Sequence, residues 1–243
     1  LKHKIEALPR GRTPAPIARV LDGTDRHAML RADATRMLQL MPDESVDLVL
    51  ADPPYGIGFV GWKGQTVAND DGPFIWWLRD AARVLKPTGA LACFTRWDVE
   101  EAFRLAIGWA GLRVRSQVVW DKGVHSMGDC DTQFGARHEN VWFAVKTGPR
   151  GRGGFKFVNG RPQSVIAAMR PFHTRRSHPT EKPVDALRVF VRHCSPEGGV
   201  VLDPFAGSGS AGEAALLEGR RFIGFEIDAT HASNARKRVQ GVA

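Results

Sequence analysis

The sequence predicts an α/β protein: a doubly wound, mostly parallel seven-stranded sheet, with an antiparallel pair at one edge and an inserted basic segment. Three observations predict it. Short, β-branched-rich runs with little polar alternation recur along the chain, as in strands buried on both faces. Helical patterns separate most of these runs, which is the rhythm of crossover connections. Two runs stop at an aspartate followed at once by a tight Pro or Gly turn, where open sheets bind ligands.

The elements follow in order. Residues 1–26 begin "LKHKIEALPRGRTPAP" and read as an N-terminal arm, with no apolar core of a signal peptide. Strands are expected at 27–32, 46–51, 89–94, 112–120, 140–146, 198–203 and 220–226. Helices are expected at 74–85, 99–109, 184–193, 210–217 and 229–239. No helix separates 112–120 from 140–146, so these two pair antiparallel at an edge. The Gly-rich stretch 56–72 and the basic stretch 147–177 interrupt the rhythm as loops. The whole chain, 1–243, reads as one domain.

Composition narrows the class. Hydrophobic residues make up 43% and charged residues 25%, as in ordinary globular proteins, and no apolar run reaches bilayer length. The three cysteines are far apart with no CxxC pair, which fits free thiols in a reducing cytoplasm. The eight histidines show no HExxH spacing, so no metal is expected.

The net charge of +8 has one source. Eight of the 34 Lys and Arg lie between Lys146 and Thr180, a span without Asp or Glu, which leaves 26 basic against 26 acidic residues elsewhere. That span also holds glycines, Asn159, Gln163 and the aromatics Phe155, Phe157 and Phe172. A basic, polar stretch with interleaved rings suits a polyanion that carries bases. A solvated basic loop is the plainer alternative.

Two strand ends carry chemistry. In "VVLDPFAGSGSAGEAALLEGRRFIGFEID" an apolar run ends at Asp203, and Gly207 and Gly209 lead into a helix opened by Ser210. Glycines there let a ligand approach the backbone. The next strand ends at Glu226, placed to accept from ribose hydroxyls. This is nucleoside-cofactor architecture, and Asp203 favours a cofactor with a cationic end over a diphosphate. In "VDLVLADPPY" a strand ends at Asp52. Pro53 and Pro54 fix the turn and supply no N–H, leaving carbonyls free to accept. Tyr55, the single tyrosine of the chain, offers a flat amphipathic ring beside these acceptors. Two acceptors and a ring make a pocket for an exocyclic amino group on a planar base.

These motifs resemble the amino-methylating DNA methyltransferases that use S-adenosylmethionine, in their permuted beta arrangement. Asp52-Pro53-Pro54-Tyr55 matches the catalytic DPPY motif, Phe205-Ala206-Gly207-Ser208-Gly209 the FxGxG motif, and "HPTEKP" (178–183) the motif that opens a cofactor-binding helix. The resemblance covers roughly 29–238, least well in the basic segment. It implies that Asp52 and the Pro53 carbonyl hold the target amino group while Tyr55 stacks on the flipped base. It places Asp203, Phe205, Gly207 and Gly209 against the cofactor, Glu226 on its ribose and Asp33 on its adenine. His178, Thr180, Lys182 and Pro183 would complete that pocket.

The resemblance also implies a Rossmann-like fold, a double-stranded DNA partner, a cytoplasmic setting and room for a homodimer. A companion restriction endonuclease is not readable. Segments 121–138 and 147–177 become target-recognition candidates, with Lys122, Arg137, Arg150, Arg152, Lys156, Arg161, Arg175 and Arg176 on DNA. Asp at position 52 leans toward N6 of adenine. N4 of cytosine, an RNA or protein substrate, and an inactive DNA-binding module are the alternatives.

Overall fold

The computed structural model describes residues 11–56, 58, 70–125, 131–147, 154–169 and 181–242. In chain order the elements are α1 (Ala15–Leu21), β1 (His27–Arg31), α2 (Ala34–Leu40), β2 (Val46–Ala51), α3 (Leu78–Val84), β3 (Leu85–Thr95), α4 (Glu100–Trp109) and β4 (Leu112–Asp121). There follow β5 (His138–Lys146), β6 (Val165–Ala167), α5 (Val184–Cys194), β7 (Val200–Asp203), α6 (Ser210–Leu217), β8 (Arg221–Glu226) and α7 (Ala229–Gln240).

Among the described residues the strands form one eight-stranded sheet in the order β1-β8-β7-β2-β3-β5-β4-β6, against the seven strands expected. The first five strands of that order run parallel, β5 is antiparallel to both neighbours, and β6 is parallel to β4. The extra strand, β6, lies inside the segment expected to be a basic loop. It covers the edge that the β4–β5 pair was expected to leave open, which removes a row of unpaired backbone groups.

Both faces are covered, as the unbroken apolar runs require. On β2, Val49 and Ala51 pack with Ile17, Leu38, Leu78 and Phe103 under α1–α4. Leu48 and Leu50 point the other way, with Phe190, Ala214 and Val239 under α5–α7. Consecutive residues of β2 therefore feed two cores, which is the period-2 geometry of a strand.

Three short elements differ from expectation. The arm read over 1–26 contains α1, started by Pro14 and Pro16 and anchored by fully buried Ile17 and Val20. Helix α2 follows Asp33, whose Oδ1 accepts from the N–H of Thr35 at 2.7 Å and of Arg36 at 3.4 Å. Helix α3 starts at Leu78, not at 74, because the Trp77 indole N–H closes a turn on the Phe74 carbonyl at 2.8 Å. Within the basic segment, Phe155 and Phe157 pack on Phe143 of β5 with ring centroids 5.3 and 5.6 Å away. They fill the sheet face near β6 instead of standing out to meet bases.

Candidate active site

The chain leaves β2 toward β3 on one side and β7 toward β8 on the other, although β2 and β7 are paired neighbours. That reversal of winding opens a crevice at the carboxyl ends of the two strands. The two motifs, about 150 residues apart in sequence, end side by side there. A cleft of about 1100 Å³ occupies the crevice and is lined by Asp33, Asp52, Pro53, Pro54, Tyr55, Lys182, Asp203, Phe205, Gly207 and Glu226 among others. Single ligands commonly fill ~300–1,000 Å³, so the cleft has room for a nucleoside cofactor and a base together.

On the β7–β8 side, each acidic group is already oriented by backbone. The Asp203 Oδ1 accepts from the Phe205 N–H at 2.9 Å. Glu226 uses both oxygens, Oε2 for the Gly207 N–H at 2.9 Å and Oε1 for the Asp228 N–H at 2.8 Å. Gly207 holds φ +47°, a left-handed turn that brings its N–H onto Glu226. Asp33 sits next in line because the Ala32 N–H bonds the Glu226 carbonyl at 2.9 Å. Burial pushes the Asp203 carboxyl up to about 8, with the Asp52 and Glu226 charges adding, while the Phe205 N–H works the other way. Phe205 is fixed edge-on by Trp77 and Phe74 at 5.1 and 6.0 Å. Anchored carboxylates that suit hydroxyls, an apolar ring, and a buried carboxyl in need of a cation fit a nucleoside with an ammonium end.

On the β2 side, the Tyr55 hydroxyl donates to Asp52 Oδ1 at 2.6 Å, and the Lys182 ammonium donates to Asp52 Oδ2 at 2.6 Å. The Pro54 carbonyl accepts the Phe74 N–H at 3.3 Å, whereas no backbone N–H among the described residues reaches the Pro53 carbonyl. Burial raises the Asp52 pKa, and Lys182 opposes that rise. The ring of Tyr55 meets Phe103 edge-on at 6.5 Å and lines the cleft with its other surface. Gly56, at φ +79°, lies so close under the following loop that a Cβ would stand 2.0 Å from the Gly72 carbonyl carbon. Exposed Trp97 and Phe134 stand among the residues lining the cleft.

The other expected site residues fall into four groups. Gly209 does not line the cleft. Its φ of +79° caps α6, and a Cβ there would meet Ala235 Cα of α7 at 2.9 Å, so helix packing accounts for it. Pro183 is the residue before α5 and also stays off the cleft surface. Lys122 is buried and its amine lies 3.7 Å from Glu139 inside the cleft, which is no position for a phosphate contact. Arg137 is exposed but forks onto Asp121, with both bonds at 2.8 Å.

Lys156 and Arg161 line a second hollow at the far end of α5. Beside them the Val158 N–H bonds the His193 carbonyl, and Asn159 bonds the Arg192 carbonyl. Since Lys182 precedes the start of that helix, the contacts at Arg192 and His193 stand roughly 16 Å from it along the helix axis. His178, Thr180, Arg150, Arg152, Arg175 and Arg176 lie outside the described residues. Glu139, unexpected from sequence, approaches Lys182 at 3.2 Å. Its only sequence signal is a carboxylate at the start of an apolar strand.

Fold and cleft define a class: a doubly wound α/β protein with a carboxylate-lined cleft where the strand order reverses. The sequence matches the DNA methylase family of N6/N4 methyltransferases over residues 46–237. YubD of Escherichia coli strain K12 is 34% identical over 202 residues, spanning 82% of this chain and 83% of that one. The DNA adenine methyltransferase YhdJ of the same strain is 27% identical over 249 residues, spanning 89% and 84%. The crystal structure of the M1.HpyAVI–SAM complex shares the fold, with TM-score 0.66 and 22% identity over 87% of this chain and 99% of that one. The chain belongs to the DNA methylase family.

Proposed function

We propose that the protein transfers a methyl group from S-adenosylmethionine to the exocyclic N6 of adenine in double-stranded DNA. The observation that carries this reading is the adjacency of Asp52 and Asp203 at the ends of paired strands within one cleft. A base inside a duplex cannot reach such a crevice, so the target must be flipped out of the stack. The kinship with YhdJ, named a DNA adenine methyltransferase, supports adenine.

S-adenosylmethionine supplies a methyl group on a cationic sulfur, already activated for transfer. The chain's residues do the rest. Glu226 and Asp33 receive the hydroxyls and adenine of the cofactor, Phe205 covers it, and Asp203 meets its ammonium group. Asp52 and the Pro53 carbonyl accept from the target NH₂, which frees the nitrogen lone pair from the ring. Tyr55 forms a wall of the base pocket. As the new N–C bond forms and the C–S bond breaks, the nitrogen sheds one proton. The nearest acceptor is Asp52, which burial makes a better base than an exposed carboxylate. Positioning and fixed charge supply most of the catalysis.

On this reading the protein is cytoplasmic, and duplex DNA lies across the rim that holds Arg96, Trp97 and Phe134. A homodimer and a restriction endonuclease partner are expectations of the family resemblance alone. The test is incubation with methyl-labelled S-adenosylmethionine and unmethylated duplex DNA, with RNA alongside, then digestion to nucleosides and mass spectrometry. N6-methyladenine from DNA is the expected product. N4-methylcytosine, or label in RNA alone, would overturn the base or the substrate.

A further inference from the structure

Lys182 carries a charge that the transfer chemistry above leaves without a task. Its side chain is only 8% exposed. Burying an ammonium costs several kcal/mol unless carboxylates surround it. Here it lies between two, Asp52 Oδ2 at 2.6 Å and Glu139 Oε2 at 3.2 Å, with the rings of Phe94 and Tyr55 at 5.2 and 5.9 Å. Lys122 continues the alternation from the far side of Glu139 at 3.7 Å. The family resemblance placed Lys182 among cofactor contacts, yet its amine sits on the carboxylate at the other side of the cleft.

We propose that Lys182 is a positioning residue for the Asp52 carboxylate, held from behind by Glu139, and that this pair sets how Asp52 meets the target amino group. The proposal rests on the reading that Asp52 receives that group. A carboxylate offers about four acceptor sites. Tyr55 takes one on Oδ1 and Lys182 one on Oδ2, so each oxygen keeps a site and the carboxylate plane is fixed by donors at both ends. Among the described residues the groups that face Asp52 are Tyr55, Lys182, Glu139, Cys93 and Asp203, and Lys182 is the cation of that set. Glu139 pulls Lys182 toward itself and pushes electrostatically against Asp52.

The two partners therefore have opposite effects on the acid limb of the transfer rate, which reports ionisation of Asp52 in the complex. The experiment measures single-turnover rates against pH, KM for DNA, and S-adenosylmethionine affinity for Lys182→Met, Lys182→Arg and Glu139→Gln, with Asp52→Asn as reference. Lys182→Met should slow transfer about 10²-fold near neutral pH, move the acid limb to higher pH, and leave cofactor affinity unchanged. Lys182→Arg should recover much of the rate. Glu139→Gln should slow transfer less and move the limb to lower pH.

A loss of cofactor affinity in Lys182→Met with an unmoved pH profile would overturn the proposal in favour of a cofactor contact. Wild-type rates in Lys182→Met would also end it. Should Lys182→Met not fold, an unmoved limb and unchanged rate in Glu139→Gln decide against it. An active Asp52→Asn enzyme would sink the underlying reading instead, whatever the Lys182 variants do.

Discussion

The Tyr55 hydroxyl donates a hydrogen bond to Asp52 Oδ1 at 2.6 Å, so the chain's single phenol grips the carboxylate three residues before it. A base-stacking ring alone would not need a hydroxyl, and the chain uses Phe freely elsewhere. Two functions therefore separate by substitution. Tyr55→Phe keeps the ring and loses a hydrogen bond to a charged group, worth about 1.5–3 kcal/mol. Transfer should slow roughly tenfold to a hundredfold. Tyr55→Ala should lose a further ~1–3 kcal/mol of stacking by analogy with single-strand binders. Rates and KM for both variants check this. Equal activity of Tyr55→Phe and wild type would leave the ring as the whole contribution.

Asp203 predicts a pH dependence for cofactor binding. Its carboxyl is pushed up to about 8 by burial first and by Asp52 and Glu226 next. Near neutral pH the free protein holds that proton, and an incoming ammonium displaces it. Binding of S-adenosylmethionine should release close to one proton near pH 7, and affinity should rise with pH until about 8. Calorimetry in two buffers of different ionisation enthalpy measures the release, and Asp203→Asn should abolish it along with much of the affinity. Stability follows the opposite course. Between the ordinary value of 3.8 and about 8 the folded chain binds more protons than the unfolded chain. This group's stabilising contribution is therefore complete below 3.8 and is lost as pH rises through about 8. Without cofactor, Asp203→Asn should melt above wild type in mildly alkaline buffer. A lower melting temperature there would contradict the buried, proton-holding carboxyl.

The place of Asp52, Asp203, Phe205, Gly207 and Glu226 on the cleft was legible in the sequence because each stands where an apolar run breaks into a turn, and strand ends carry ligands in this architecture. The resemblance put Lys182 on the cleft but did not give its partner. Its bond to Asp52 spans 130 residues, and only the sheet order brings α5 over β2. Glu139 left only a carboxylate at a strand start, a signal that usually means a solvated charge. Phe155 and Phe157 of the basic segment misled for a physical reason: a ring in polar surroundings packs on the nearest uncovered apolar surface, and Phe143 supplies one, whereas Phe172 lies outside the described residues. Helix α2 and strand β6 are too short for periodicity to reveal, with seven and three residues.

The turn at Gly56 predicts a loss of function without a lost functional group. At φ +79° any Cβ is strained, and the space it needs is taken by the backbone of Gly72 and Pro73. The same turn is tied by the Gly56 N–H to Asp70 Oδ1 at 2.6 Å and by the Gly58 N–H to the Asp70 carbonyl at 2.7 Å. Gly56→Ala should displace Tyr55 and Asp52 together, cutting transfer about 10²-fold while S-adenosylmethionine binding at the β7 side persists. Activity and calorimetry on one preparation distinguish this from unfolding, which would remove both.

Asp47 and Asp52 bracket β2, and their contrast makes the last prediction. Asp47 is buried at the end of the strand away from the cleft, where its carboxylate takes Lys86 at 2.8 and 3.0 Å and the Val200 N–H at 2.8 Å. Those bonds tie β2 to β7 and to the start of β3, so Asp47 holds the strands whose other ends form the crevice. Asp47→Ala leaves a buried N–H without a partner, at a cost of about 1–3 kcal/mol. Asp52→Ala also strands a buried partner, because it leaves the Lys182 ammonium with Glu139 as its remaining carboxylate. The two substitutions should therefore part in activity rather than in stability. Both lower the denaturation midpoint, but Asp47→Ala leaves kcat per folded molecule near wild type, whereas Asp52→Ala abolishes transfer and spares cofactor binding. Urea titration and single-turnover kinetics on both variants separate the two roles. An Asp52→Ala protein that keeps wild-type transfer per folded molecule would mean the DPPY aspartate is there to hold the fold.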